Sequence, residues 1–355
     1  MAKSKITIRE VAKAAGVSLG TASRALNRTG RVSEQAIEAV SRVARELGYE
    51  PNALAQSMRT HSTGVVGLLV SDIANPLYAG IITAVEARLL AAGYALLLAS
   101  THGDASRQKA LIDLFRRRRV DGLILGPCDS EKPEMLDRLA LDLPVVALDR
   151  DITNAGTGVH VDHYHGALQA TRYLLNLGHR RIALLTPGSA LRPGRERIAG
   201  YVDAFAAQGI PLDKWLIRAE SSSMEFSFSE ALALLSSANA PTAFLCLGTR
   251  ILSGVLQAIR HTGRTVPDDV SIISIGDTDL SQLFTPTITS LTWDLAAVGT
   301  ACAEVLLRRL TARDEPEPER ILITTQMILR ESCVPSPVAV RTRTASARAT
   351  CGGTP

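Results

Sequence analysis

Residues Gly16 to Gly20 read GVSLG, the G-x-S-x-G pattern in which a strained strand-to-helix turn exposes a nucleophilic serine. Ser18 would be that nucleophile only if a buried strand preceded it and a helix followed. His160, His163 and His165 invite a metal hypothesis, but they have no nearby cysteine and their segment reads as a loop, so solvated or hydrogen-bonded histidines are the simpler reading. Cys128, Cys246, Cys302, Cys333 and Cys351 are odd in number, widely spaced and without a CxxC, which favours buried or incidental thiols over disulfides or zinc. Neither G-x-G-x-x-G after a strand nor G-x-x-x-x-G-K-(S/T) occurs, and no nucleophile–base pairing is recognisable. The residues therefore call for no metal, no cofactor and no catalysis.

The elements around GVSLG decide its meaning. Thr7-Ile8-Arg9-Glu10 fits a capping box, and Ile8, Val11, Ala12 and Ala15 repeat at helical spacing up to Gly16. Ser18 then caps a second helix through Leu26, with Val17 and Ala22 placed as a hydrophobic staple. A third helix starts after Ser33, turns Ile37, Val40, Ala44 and Leu47 inward, and stops at Gly48. A helix, not a strand, precedes Ser18, so the elbow lacks its context. Helix, glycine turn and second helix make a helix-turn-helix, whose second helix enters the DNA major groove. Its exposed positions Leu19, Gly20, Thr21, Ser23, Arg24 and Asn27 carry no acid.

Charge agrees with that assignment. The 355 residues carry a net +4, but residues 1–61 hold ten Lys or Arg against five acids, and 336–355 hold three Arg and no acid. The span between is net −4, so a basic head meeting a polyanion sits on a mildly acidic body. No apolar run reaches membrane-spanning length and MAKSKITIRE lacks the apolar region of a signal peptide, which points to a cytoplasmic protein with no membrane partner.

The head resembles that of the LacI family of bacterial transcriptional regulators. The shared features are the T-x-x-E-V-A start, A-G-V-S, T-A-S-R-x-L-N, V-S-E-Q-A-I-x-x-V and L-G-Y-x-P-N-x-x-A-x-x-M, across residues 6–59. The resemblance implies that Thr7, Ser18, Thr21, Ser23, Arg24 and Asn27 contact phosphates or support the recognition helix. It places Leu19 and Gly20 at the base-reading pair. Gly20 has no side chain, so Thr21 or Arg9 takes more of the readout, and Leu19 packs against a thymine methyl. Asn52 to Arg59, including Ala55, matches a hinge helix too short to stand alone. Met58 matches its minor-groove wedge.

From residue 64 the pattern changes. VVGLLV, YALLLAS, VDGLILG and PVVALD, then RRIALLT, KWLIRA, TAFLCLG and VSIISIG, are apolar runs separated by helical stretches. They predict parallel sheets covered on both faces, four strands in each of two halves split near Val161. Residues 290–310 are expected as helix and 321–329 as strand, crossing back between the halves. The fold class is thus an all-α helix-turn-helix head plus an α/β body of two doubly wound parallel-sheet subdomains. Ligands bind beyond the carboxyl ends of such strands, here polar at Ser71-Asp72, Asp149-Arg150, Thr186-Pro187, Glu220, Gly248-Thr249-Arg250 and Gly276-Asp277.

The body is similar to the same family's effector domain, itself periplasmic-binding-protein-like, through D-I-A-N-P-L-Y, V-D-G-L-I-L, L-G-H-R-R-I-A, R-I-A-G-Y, V-P-D-D-V-S-I-I and T-P-T-I-T-S-L. That resemblance implies an effector-gripping Arg197 and a lining Asp72; Tyr78, Arg150, Arg192, Thr249, Arg250, Asp277 and Trp293 complete the candidate set, Trp293 either as an aromatic wall for the ligand or as core. Three departures count against a neutral sugar: Gly248-Thr249-Arg250 for the usual Asn-Asp pair, Ser221 or Ser222 for an aromatic platform, and Ser274-Ile275-Gly276-Asp277 for G-(F/Y)-D-D. Arg192 and Arg195 beside Arg197 suit an acid, such as a sugar acid.

The expected organisation is a DNA-binding domain over 1–51, hinge helix and linker over 52–61, an effector-binding and dimerisation domain over 62–335, and a disordered tail over 336–355. Two half-sites require two heads, hence a homodimer on a pseudo-palindromic double-stranded operator. A binding protein without a DNA role would leave the basic head unexplained. An α/β hydrolase would need chemistry the chain does not show.

Overall fold

Glu10 reaches back to Thr7, accepting from its backbone N–H at 2.6 Å and its hydroxyl at 2.9 Å, and starts α1 (Ile8–Ala14). Gly16 ends the turn after it at φ +66°, a left-handed conformation that L side chains rarely adopt. Ser18 Oγ accepts from the Thr21 N–H at 3.1 Å and caps α2 (Leu19–Asn27). Ser33 caps α3 (Glu34–Leu47), which closes at Gly48. Helices this short are marginal alone. They persist by sharing Val11, Ala12, Ala22, Ala25, Val40, Val43 and Ala44 as a common core. Leu47, expected inward, is 38% exposed. Val43 is buried in the helix face instead, and Tyr49 folds back to pack on the same core.

The computed structural model describes residues 6–27, 30–49, 62–126, 134–153, 156–312 and 317–336. The chain divides into two units, residues 1–63 and 64–355. The expected hinge residues Asn52, Ala55, Met58 and Arg59, the expected tail beyond Ser336, and Cys128 and Cys351 lie outside the described residues.

Two six-stranded sheets form the second unit. The first orders β11 (Arg320–Ile323), β5 (Gly158–Val161), β4 (Val145–Leu148), β3 (Gly122–Leu125), β1 (Val65–Val70) and β2 (Ala95–Ser100), all parallel. The second orders β12 (Gln326–Ile328), β10 (Thr289–Thr292), β9 (Ser271–Ile275), β8 (Ala243–Cys246), β6 (Ile182–Leu185) and β7 (Ile217–Arg218), parallel except for β12. The central strands are buried on both faces, as their unbroken apolar runs require. Helices α4 (Pro76–Ala91), α5 (Ala105–Arg117), α6 (Glu134–Ala140), α7 (His163–Asn176), α8 (Arg192–Ala207), α9 (Met224–Leu235), α10 (Thr249–His261), α11 (Asp279–Leu283) and α12 (Leu295–Thr311) connect and cover them. α7 and α8 approach so closely that a Cβ on Gly200 would meet the Tyr164 carbonyl at 2.2 Å.

Three expectations need correction. Each half has more than four strands, because β5 and β10 carry too few apolar residues to stand out. The start of the expected 290–310 helix is instead β10, whose Ser290 hydroxyl bonds that of Ser274 at 3.0 Å, and the helix begins at Leu295. The single strand expected over 321–329 is two, and they lie in different sheets. The chain therefore passes between the halves three times, after β5, β10 and β11.

Candidate functional site

The nucleophile reading of Ser18 ends with its partners: the hydroxyl caps α2 and hydrogen-bonds Thr21 Oγ1 at 2.9 Å. Leu19, Gly20 and Arg24 are exposed along α2, and Leu19 is 44% accessible despite being apolar. A Cβ on Gly20 would meet Ser18 Oγ at 3.8 Å and Arg24 Nη2 at 3.9 Å, so a methyl fits there without a clash. Thr21, Ser23 and Asn27 are half-buried, and Asn27 Nδ2 donates to the Ser23 carbonyl at 2.6 Å. Thr7 and Arg9 are exposed at the start of α1. The helix carries no acid in its first turn. This surface carries hydrogen-bonding groups and one exposed apolar side chain, the kinds of group that phosphates and base edges can meet.

The strand ends of the second unit enclose a cavity of about 480 Å³. Of the expected residues, Asp72, Tyr78, Arg197, Thr249, Arg250 and Trp293 line it. His102, Asp149, His163 and Glu220 line it as well. Leu77, Ile81, Leu148, Leu191 and Ile275 supply apolar wall. A second hollow of about 490 Å³ on α7, edged by Arg172 and Tyr173, is open to solvent and receives none of these strand ends.

Four helices begin at the cavity. Asn75 caps α4, Ser223 caps α9, and α8 and α10 start at Leu191 and Gly248 with no side-chain cap. Their N-termini concentrate partial positive charge on one space. At the mouth, Arg250 pairs with Asp72 at 2.9 Å and Thr249 donates to Asn75 Oδ1 at 3.2 Å. Both contacts tie the second sheet's side to the first's.

Arg197 is 5% exposed. Its Nη1 donates to the Leu247 carbonyl at 2.8 Å and its Nη2 to His163 Nδ1 at 3.2 Å, while Nε has no partner among the described residues. Burial lowers its pKa to about 10, leaving it charged at neutral pH, with Asp149 and Tyr78 opposing that shift. Trp293, 7% exposed, packs edge-on against His163 with ring centroids 5.4 Å apart, and its Nε1–H is also unpartnered. Burial pushes the Tyr78 hydroxyl up to about 12, so it stays neutral.

Asp149 sits below these groups at φ +54°. It accepts from Arg192 Nη1 at 3.0 Å, from the Val161 N–H at 3.2 Å and from His163 Nε2 at 2.6 Å. Burial pushes its carboxyl up, but the His163 ring and Arg192 outweigh burial and hold it at about 2. Among the described residues the positive-φ non-glycines are His102, Arg119 and Asp149, and two of the three line the cavity. Such conformations cost roughly 1–3 kcal/mol each and collect at functional sites.

The structure does not bring Arg150, Arg192 or Asp277 to the cavity wall. Arg150 is buried elsewhere, donating to Gln108 Oε1 at 2.9 Å and the Gly126 carbonyl at 3.1 Å. Arg192 is committed to Asp149 and to Glu196, and Arg195 to Asp151. Asp277 is held by Arg330 at 2.5 Å. Each guanidinium or carboxylate found a partner within the protein, which spacing in sequence does not show. The histidines are not in a loop either: His160 lies on β5, and His163 and His165 open α7. No His, Cys, Asp or Glu cluster suited to a metal occurs among the described residues. No helix among them is long and apolar enough to cross a membrane.

Both units of the chain are similar to known proteins. Residues 7–52 match the model for bacterial regulatory proteins of the lacI family, and residues 171–333 that of the periplasmic binding protein-like domain. The chain is 31% identical over 331 residues to the HTH-type transcriptional repressor PurR of Haemophilus influenzae, covering 92% of this chain and 98% of that protein. It is 30% identical over 335 residues to the HTH-type transcriptional regulator DegA of Bacillus subtilis, covering 93% and 99%. A transcriptional regulator CelR–cellobiose complex superposes with a TM-score of 0.70 at 30% identity, over 92% of this chain and 99% of that one. The lac repressor dimer bound to operator shares the fold, with a TM-score of 0.82 at 24% identity over 93% and 100%. A helix-turn-helix head followed by a periplasmic-binding-protein-like body, matched end to end by such relatives, places this chain in the lacI family of bacterial regulatory proteins, as a DNA-binding transcriptional regulator with an effector-binding domain.

Proposed function

We propose that this chain is a repressor whose operator affinity is set by an acceptor-rich small molecule, a sugar or preferably a sugar acid, held in the cavity of its body. The observation that carries the reading is the pair of buried donors, Arg197 Nε and Trp293 Nε1, left without partners beside the cavity. An unmatched buried donor costs on the order of 1–3 kcal/mol, and a ligand carboxylate or hydroxyl would recover it. The four helix N-termini favour an anion at the same place. Of the wall's carboxylates, Asp72 is matched by Arg250 and Asp149 by Arg192 with His163, while Glu220 is exposed to solvent. A neutral sugar is the second reading, favoured by relatives solved with cellobiose and with ribose.

On the DNA side, two copies present two recognition helices to a pseudo-palindromic operator, with Thr7, Arg9, Ser18, Leu19, Gly20, Thr21, Ser23, Arg24 and Asn27 as the contacting or supporting set. Effector binding couples to operator affinity by roughly 1–3 kcal/mol. Calorimetric titration of the full chain with D-gluconate and D-galacturonate against glucose, ribose and cellobiose tests the ligand class. Heat from the acids supports it, and heat from neutral sugars alone rejects it. Salt-dependent gel shifts on the DNA upstream of its own coding sequence test the head.

A further inference from the structure

His163 stands between a carboxylate and a guanidinium with its ring almost wholly enclosed, the side chain 1% exposed. A guanidinium only donates hydrogen bonds. His163 Nδ1, 3.2 Å from Arg197 Nη2, must therefore accept, which leaves the ring proton on Nε2 to donate to Asp149 Oδ2 at 2.6 Å. The Leu247 carbonyl takes Arg197 Nη1. One carbonyl and one imidazole tautomer thus engage one N–H of each terminal nitrogen of Arg197, and Nε is its one nitrogen with no partner among the described residues.

We propose that His163 is the positioning residue of the effector site: its Nε2–H tautomer fixes the Arg197 guanidinium through Nη2 in the orientation that meets the ligand, and a second proton at Nδ1 releases it. The inference takes its functional meaning from the reading of the cavity as the effector site, but the geometry itself belongs to the chain without ligand. The charged and titratable groups around the ring are Asp149 after β4, Arg192, Glu196 and Arg197 on α8, Tyr78 on α4 and, beyond Asp149, Cys302 on α12. A proton on Nδ1 would set N–H against N–H and cation against cation in a buried site, where such repulsion is poorly screened. Burial keeps the ring's pKa below its ordinary value; Asp149 opposes the shift, and Arg197 and Arg192 add to it. The release therefore falls on the acid side of the usual imidazole range, and effector affinity declines there as pH drops.

Two substitutions separate positioning from space-filling. In His163→Asn the amide oxygen takes the place of Nδ1 and still accepts from Arg197, but the link to Asp149 is lost. In His163→Gln the amide nitrogen reaches Asp149 and Nη2 is left without its acceptor. The full-length chain, uniformly ¹⁵N-labelled and without ligand, supplies the readout. At pH 7 the His163 signals are expected to show Nε2 protonated and Nδ1 bare. The Arg197 Nε–H resonance, identified by its absence from Arg197→Lys, is expected in wild type and His163→Asn and lost by exchange in His163→Gln. In Arg197→Gln the ring's titration midpoint should rise, because the cation facing Nδ1 is gone; this variant decides the matter if His163→Gln does not fold.

D-gluconate should bind His163→Gln at least about tenfold more weakly than His163→Asn at pH 7, the equivalent of one charge-assisted hydrogen bond. A proton on Nδ1 at pH 7, a midpoint at the ordinary imidazole value, or identical behaviour of the two variants would overturn the proposal. If the resonances behave as stated and D-gluconate does not bind wild type, the acid-effector reading falls and the positioning role stands.

Discussion

The recognition helix and the cavity handle polar groups in opposite ways. On α2 the side chains find their partners within one turn, Ser18 with Thr21 and Asn27 with Ser23, and Leu19 and Arg24 are left exposed. At the cavity Asp149, His163 and Arg197 come from a strand end and two helices, Asp149 is also held by Arg192 from outside the wall, and most of these groups are committed. A surface that reads a polymer in water can be assembled from local contacts. A buried site that reads a small molecule needs partners brought from across the fold, and its selectivity lies in the few groups left unmatched.

The largest effect should therefore come from the cavity. Arg197→Ala is expected to lower effector affinity by at least about 30-fold, because a buried charge-assisted contact is worth about 2 kcal/mol or more, while operator binding without effector persists. Calorimetry and gel shifts on the same preparation check both halves of that statement. Equal loss of both would show that the residue merely holds the fold.

Asp149→Asn probes the matched charges. Its folded carboxyl, at about 2 against an ordinary value of 3.8, contributes stability that is present above about pH 4 and lost as pH falls toward 2. The variant should be less stable than wild type by about 2 kcal/mol at pH 7, with the gap closing toward pH 2, as denaturant unfolding would show. A gap that does not change with pH would assign the loss to packing.

In the head the effects should be smaller and act on DNA alone. Arg24→Ala should weaken every operator similarly and reduce the salt slope by about one unit, measured by anisotropy across salt concentrations. Gly20→Ala should change the ranking of operator sequences by about 1 kcal/mol without loss of stability, since the added methyl makes only ordinary contacts with Ser18 and Arg24. A ranking left intact would show that this position does not face bases. Ser18→Ala should cost the head about 1 kcal/mol through the lost cap and leave the cavity's affinities untouched.

The same contrast explains what the sequence showed. Thr7, Ser18, Ser33, Gly16 and Gly48 act within a few residues of themselves, so the three head helices were readable to within a residue. The apolar runs of β1, β3, β4, β6, β8 and β9 were equally plain. β5 and β10 were not, because their polar Gly158, His160, Thr289 and Ser290 are satisfied by distant partners or tolerated against neighbours. The 321–329 segment looked like one strand because nothing in its composition marks the change of sheet. At the cavity, the family resemblance pointed to Arg197, which does line it with Trp293, but Arg192 and Arg250 were grouped with Arg197 as though their charges were free. Their carboxylates, Asp149 and Asp72, lie far away in sequence, and only the fold shows the pairing.

The central claim is that a ligand matched to Arg197 in the body controls what the head does on DNA. Operator affinity of wild type and Arg197→Ala, measured by fluorescence anisotropy at one fixed salt concentration with and without a saturating acid found by calorimetry, tests it most directly. The account predicts that the ligand changes wild-type affinity by roughly 5- to 150-fold and leaves the variant unchanged. Equal operator affinity with and without bound ligand in the wild type would contradict it.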